Sequence, residues 1–222
     1  MSPARTRVKI CGLTNAADAE TAIALGADAL GFNLFPGSKR YLELAGAGDW
    51  IAALPPLVTR VAVLVNVPLA EAVRIAEHPA FHSVQFHGDE DPAYCAEFAR
   101  TGRSFIKALR LSGPGVLASA ADYSTRSILL DAAPATAGGS QEYGGTGTLI
   151  DLALAARLAR AHPQLRILLA GGLRPENVAA AVATVGPYAV DVASGVETAS
   201  DPRRKDSGRL RAFMAAASGV TG

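Results

Sequence analysis

A single (β/α)8 (TIM) barrel over residues 1–222 is the fold that the sequence predicts, and three observations predict it. Short β-rich runs alternate with helical stretches from one end of the chain to the other. Eight such runs fit within 222 residues, the size of one large domain. The turn after the first run, Cys11-Gly12-Leu13-Thr14, is not the GxGxxG that an open doubly wound sheet usually carries there.

The first strand, 7–12, alternates Val8 and Ile10 with Lys9 and Cys11, so the two pairs face opposite ways. A helix over 16–25 follows. The second strand, 29–34, leads into Phe35-Pro36-Gly37-Ser38-Lys39-Arg40-Tyr41, and the third, 59–66, into a helix over 70–77. In the fourth, 83–88, Val84 and Phe86 oppose Gln85 and His87; Asp91-Pro92 then opens a helix over 92–99 with proline in its first turn. The fifth and sixth strands are 104–110 and 127–132, and in the sixth Ile128 and Leu130 oppose Leu129 and Asp131. A long loop rich in Ala, Gly and Ser, 132–147, precedes a helix over 149–161. The seventh strand, 166–172, ends in Ala170-Gly171-Gly172-Leu173. There Arg174-Pro175-Glu176 places proline in the first turn of a helix over 176–185. The eighth, 188–195, sets Val190 and Val192 against Asp191 and ends in Ala193-Ser194-Gly195-Val196. The apolar sets meet the helices and the polar sets point into the barrel. Buried polar groups are costly unless hydrogen-bonded or used, so a ligand site is expected at the strand ends.

Half of the residues are hydrophobic, 18% are charged, and the formal net charge is +1, which gives no reason to expect nucleic acid or an anionic membrane as partner. No apolar run reaches the length of a membrane span, and the N-terminus lacks the apolar core of a secretory signal. Two cysteines without an export signal fit reduced thiols in the cytoplasm better than a disulfide framework. No CxxC or His/Cys cluster has metal-ligand spacing, so no metal is expected.

In such a barrel the C-terminal strand ends carry the chemistry. Cys11 and Asp131 both stand there, a potential base and acid. A lone cysteine is most often a small buried residue, but Lys9, on the same face, supplies the positive charge that brings a thiol toward neutrality. Asp131 has structural alternatives, capping the next helix or pairing with Lys107, yet it precedes the long loop, and such loops are usually functional. Gly171 and Gly172 at the end of strand seven, with Ser194 and Gly195 at the end of strand eight, look like an anion cradle at the recurrent phosphate position of this fold. Their bland reading is tight turns. Arg40 is placed to grip a carboxylate through two parallel hydrogen bonds, against the alternative of a solvated surface arginine. His87 either touches a ligand or is satisfied inside the barrel. Cys95 lies mid-helix and packs, and His78, His82 and His162 carry no chemistry.

Together these stretches resemble the phosphoribosylanthranilate isomerase family of tryptophan biosynthesis. The resemblance rests on VKICGLTN from Val8, GFNLFPGSKRYL from Gly31, VAVLVN from Val61 and VQFHGDE from Val84. It continues through ILLDA from Ile128, YGGTG from Tyr143, LAGGLRPENV from Leu169 and VDVASGVE from Val190, in family order over almost the whole chain. It implies an Amadori rearrangement of an aminoaldose phosphate to an aminoketose phosphate, without cofactor. Cys11 would be the general base at C2 of the sugar and Asp131 the general acid at the ring oxygen. Arg40 would hold the anthranilate carboxylate, Asp191 would lie near the sugar hydroxyls, and the glycine-rich ends of strands seven and eight would hold the phosphate. The expected partner is a small phosphorylated substrate, and the chain is expected to be a monomer or homodimer. Acid and base of different pKa need different surroundings: Asp131 raised, Cys11 lowered.

The chain departs from the family pattern at Thr148, where many members carry lysine, at Asn33, usually aliphatic, and at Gly37, which loosens the loop presenting Arg40. Two other functions compete. A two-phosphate sugar isomerase of histidine synthesis would need a second glycine-rich loop where Val65-Asn66-Val67-Pro68 stands. A non-catalytic barrel would be expected to lack Cys11 or Asp131, and both are present.

Overall fold

The computed structural model describes residues 5–113, 115–116, 119–133 and 149–219. Eight strands close into a barrel in chain order: β1 (Arg7–Cys11), β2 (Ala29–Asn33), β3 (Thr59–Leu64), β4 (Ser83–Phe86), β5 (Phe105–Leu111), β6 (Ser127–Ala132), β7 (Arg166–Leu169) and β8 (Ala189–Val192). Every neighbouring pair is parallel. The helices among the described residues are α1 (Ala16–Ala24), α2 (Leu44–Ala52), α3 (Leu69–Glu77), α4 (Pro92–Ala99), α5 (Leu152–Ala161), α6 (Val178–Val185) and α7 (Ser207–Ser218).

Local chemistry sets the helix starts. Asn15, Asp91, Asp151 and Asp206 each accept a hydrogen bond from a backbone N–H in the first turn of α1, α4, α5 and α7, satisfying donors that the helix cannot. The Asp151 cap also explains why α5 starts at Leu152 rather than at Leu149. The helix expected over 176–185 starts later, at Val178. Asn177 Oδ1 accepts the Arg174 N–H at 2.8 Å and forms a turn there, so Pro175 lies ahead of the helix and not in its first turn. Helix α2 is weakly signalled because Gly46 and Gly48 lower its helix propensity. Gly48 has a packing reason, since a Cβ there would stand 2.8 Å from His78 Cε1. Between β5 and β6 the described residues form only a 3-10 turn, Ala120–Tyr123.

The alternation read from the strands sorts the core into two layers. Val8, Ile10, Val84, Phe86, Ile128, Leu130, Val190 and Val192 join the large core between strands and helices. Ala108, Leu129, Leu168, Ala170 and Ala189 form a smaller cluster inside the barrel. These interior side chains are mostly small. Lys9, Gln85 and Asp191, also pointing inward, are buried polar residues. A barrel interior carrying that much polarity needs pairing, and the pairing is what builds the site.

Candidate active site

On the β1–β8 seam Lys9 lies in register with Asp191, and its Nζ donates to Asp191 Oδ1 at 2.7 Å. Both side chains are almost fully buried. Burial opposes the Lys9 charge, but Asp191 and the neighbouring Cys11 sulfur overcome it and hold the ammonium up to about 12. Lys9 is therefore a fixed cation. Cys11 ends β1 beside it, its sulfur in hydrogen-bonding reach of the ammonium. Burial pushes the Cys11 thiol up, and Asp191 adds to that; Lys9 and Lys205 pull it down without cancelling the burial. The thiol expected to be lowered is raised on balance. Its two nearby ammonium groups are nevertheless the ones that can stabilise a thiolate.

Space for this pair comes from a residue that the sequence did not single out. Gly31 is in register with Cys11, and a Cβ on it would stand 2.8 Å from Cys11 Sγ and 3.0 Å from Lys9 Nζ. Its only signal was a glycine interrupting an apolar strand, which marks close approach.

Arg40 is not a solvated surface residue. It is buried, and its Nε and Nη2 donate to the two carboxylate oxygens of Glu197, the latter at 3.0 Å. Lys205 Nζ donates to the same carboxylate at 3.2 Å and to the Ala193 carbonyl at 3.2 Å. Burial alone would raise the Glu197 carboxyl; Arg40 and Lys205 hold it below its ordinary value. The Arg40 stem crosses Gly12, where φ is +73° and a Cβ would lie 2.3 Å from Arg40 Cδ. Glu197 thus holds the guanidinium in place through Nε and Nη2. The approach loop is ordered: Asn33 Oδ1 accepts the Phe35 N–H at 2.9 Å, and Ser38 Oγ accepts the Arg40 N–H at 3.1 Å. Asn33 acts here as a turn former, the use to which asparagine is suited. Glu197 ends the VDVASGVE stretch; Lys205 follows two exposed arginines, Arg203 and Arg204, and nothing local marks it as the buried one.

Across the barrel, Asp131 Oδ1 accepts the Ala132 N–H at 2.9 Å and Oδ2 lies 3.3 Å from His87 Nε2. The structure brings His87 to Asp131, and joins both to a cavity of about 320 Å3 lined further by Lys107, Arg110 and Tyr123. Lys107 does not pair with Asp131; its Nζ turns outward to Glu90 at 2.7 Å.

At the ends of β7 and β8, Gly171 and Gly172 have φ of +84° and +65°. A Cβ on Gly171 would meet the Ala132 backbone nitrogen at 2.6 Å, and one on Gly195 the Leu173 carbonyl oxygen at 1.9 Å. Both glycines therefore have a packing cause besides any ligand. Asn177 Nδ2 donates to the Gly172 carbonyl at 3.0 Å and Arg209 Nε to the Gly195 carbonyl at 2.9 Å, which fixes the two turns. The YGGTG stretch, Thr148 and all of the loop 132–147 beyond residue 133 lie outside the described residues. Among the described residues no group of His, Cys, Asp and Glu could hold a metal ion, and no helix is long and apolar enough to cross a membrane.

Known proteins resemble the chain in sequence and in fold. A family model for N-(5'-phosphoribosyl)anthranilate isomerase matches residues 8–216. An N-(5'-phosphoribosyl)anthranilate isomerase from Geobacter sp. (strain M21) is 46% identical over 213 residues, covering 96% of this chain and 98% of its own. The crystal structure of phosphoribosyl anthranilate isomerase from Thermus thermophilus is 38% identical with a TM-score of 0.84, covering 97% of this chain and all of that one. A phosphoribosyl anthranilate isomerase in complex with reduced 1-(o-carboxyphenylamino)-1-deoxyribulose 5-phosphate is 35% identical with a TM-score of 0.80, covering 96% of this chain and 99% of its own.

Proposed function

The chain belongs to the N-(5'-phosphoribosyl)anthranilate isomerase family, and from that premise we propose how its own residues carry the reaction. The activity is the conversion of N-(5'-phosphoribosyl)anthranilate to 1-(2-carboxyphenylamino)-1-deoxyribulose 5-phosphate in tryptophan biosynthesis. The rearrangement is internal: C1 is reduced as C2 is oxidised, so protons alone have to be moved.

Asp131 gives a proton to the ribose ring oxygen as the C1–O bond breaks, and the nitrogen lone pair forms the C1–N double bond. The Cys11 thiolate then takes the proton from C2. The freed electron pair forms the C1–C2 double bond, and the C1–N π pair returns to nitrogen. The resulting enolamine becomes the ketone by proton shifts. Two groups of different acidity suffice for this sequence. One observation carries the assignment: the thiol on β1, with two ammonium groups around it, and the carboxyl on β6 end strands at the same mouth of one barrel.

The remaining contacts follow from what each group has left to offer. Arg40, aimed by Glu197, takes the anthranilate carboxylate with Nη1. Asp191, whose Oδ1 is occupied by Lys9, offers Oδ2 to a sugar hydroxyl. Backbone N–H groups of Gly171, Gly172, Ser194 and Gly195 hold the phosphate. All of these groups come from one chain, so a monomer and a homodimer serve equally well. A small, polar, phosphorylated substrate fits a cytoplasmic enzyme without nucleic acid or membrane as partner. The test is to generate phosphoribosylanthranilate in situ and follow loss of its fluorescence on adding the protein. Rapid loss, slowed by inorganic phosphate, is expected; no loss above the spontaneous rate would overturn the reading.

A further inference from the structure

Gln85 lies on β4 directly beneath His87, inside the barrel, and none of it is exposed. Its Nε2 stands 2.7 Å from His87 Nδ1, and His87 Nε2 stands 3.3 Å from Asp131 Oδ2. An amide nitrogen only donates, so His87 Nδ1 must present its lone pair. In a ring that accepts at Nδ1, the hydrogen is on Nε2 and points at Asp131. Gln85 Oε1 is buried without a hydrogen-bond partner. Turning the amide over would replace one unpartnered acceptor by a nitrogen with two unpartnered hydrogens. It would also set the His87 Nε2 lone pair against the Asp131 oxygen whenever that carboxyl is ionised. Both changes add cost.

We infer that Gln85 is a positioning residue for the acid: it fixes His87 as the neutral Nε2–H tautomer, so that His87 donates a hydrogen bond to Asp131. The consequence is mechanistic and rests on the reading of Asp131 as general acid. When Asp131 releases its proton to the ring oxygen, a negative charge appears on a carboxylate held in a partly buried site. The Ala132 N–H already serves Oδ1. The Nε2–H of His87 serves Oδ2 at the moment the charge forms, without moving and without a net charge of its own that would oppose protonation of Asp131 beforehand. The opposite tautomer would present a lone pair there and disfavour proton release. For a histidine base put in the wrong tautomer when an amide replaces its carboxylate partner, the loss is of the order of 10⁴-fold; here His87 assists the acid rather than reacting, so a smaller loss follows.

The direct test is the ring ¹H–¹⁵N correlation pattern of His87 in the full-length unliganded protein, with His87→Asn used to assign the signal. A neutral ring with hydrogen on Nε2 is expected. Hydrogen on Nδ1, or on both nitrogens, at neutral pH would overturn the proposal whatever the activity. The second measurement is Gln85→Glu, nearly the same size, whose carboxylate accepts from Nδ1 and reverses the ring. It should lower kcat by roughly 10-fold or more with KM changed by less than about 2-fold, since only the proton step is touched. A folded Gln85→Glu variant with kcat intact would also overturn the proposal. If Asp131→Asn retained turnover while His87 showed Nε2–H, the acid assignment would fail and the tautomer assignment would stand.

Discussion

Lys9 and Asp191 form an ion pair of 2.7 Å across the seam that closes the barrel, with both side chains nearly inaccessible to water. A buried pair of this kind is weak as a source of stability, because the loss of hydration offsets most of the attraction. Its position gives it another use. The ammonium lies against the Cys11 sulfur and remains charged throughout the working pH range. It is the group that makes thiolate formation feasible in a site whose burial works against it.

Lys9→Met should therefore move the Cys11 ionisation to higher pH. Loss of a nearby cation disfavours the thiolate, so at a fixed pH below the thiol pKa the active fraction falls, and it recovers as pH is raised. Each unit of displacement costs about 10-fold in rate at pH 7 to 8. The check is the ascending limb of log kcat/KM against pH. An unmoved limb would separate Lys9 from the thiol.

Gly31→Ala should damage the site more than the fold. The added methyl meets the Cys11 sulfur and Lys9 ammonium within about 3 Å, and overpacking of this kind typically costs about 1–3 kcal/mol. Urea denaturation should show a loss in that range, while kcat falls through displacement of the base. Full turnover would mean that the thiol tolerates being moved.

Glu197→Gln should cost about 3 kcal/mol, the lower end for breaking a buried charge network, because Arg40 and Lys205 both lose the carboxylate that pairs them. The folded-state pKa of Glu197 is depressed. Its contribution is thus present above the ordinary carboxylate range and is lost as pH falls through the depressed folded value. The wild-type stability curve should drop on that acid side, and the variant curve should be flatter there. Parallel curves would count against the network.

Gly195 cannot test the phosphate position, because any side chain there strikes the Leu173 carbonyl. Ser194→Asp can. A carboxylate beside the proposed phosphate should raise KM by at least ~10-fold, about 1.4 kcal/mol of like-charge opposition, and leave kcat largely unchanged. An unaltered KM in the folded variant would place the phosphate elsewhere.

Much of this architecture was legible because strand alternation is a strict rule. Val8 and Ile10 against Lys9 and Cys11, or Ile128 and Leu130 against Asp131, leave one way to close a barrel with an apolar outside and a polar mouth. What was illegible lies in pairings between residues far apart in sequence. Arg40 and Glu197 are 157 positions apart and Lys9 and Asp191 are 182 apart, and no local pattern links them. Pro175 falls outside α6 because the turn it opens is isolated: the Asn177 and Val178 N–H groups share the Arg174 carbonyl, and the helical ladder resumes only from Asn177. Gly31 and Gln85 gave almost no signal, since one acts by leaving space and the other by orienting a neighbour.

The central claim is that one thiol and one carboxyl divide the two proton transfers, and the most direct measurement is kcat and KM for Cys11→Ala and Asp131→Asn, each checked for folding. Each variant should lose at least ~10²-fold in kcat, the lower scale for removing a general acid or base, while KM changes far less. Near wild-type kcat in either folded variant would remove that residue from the chemistry and contradict the account.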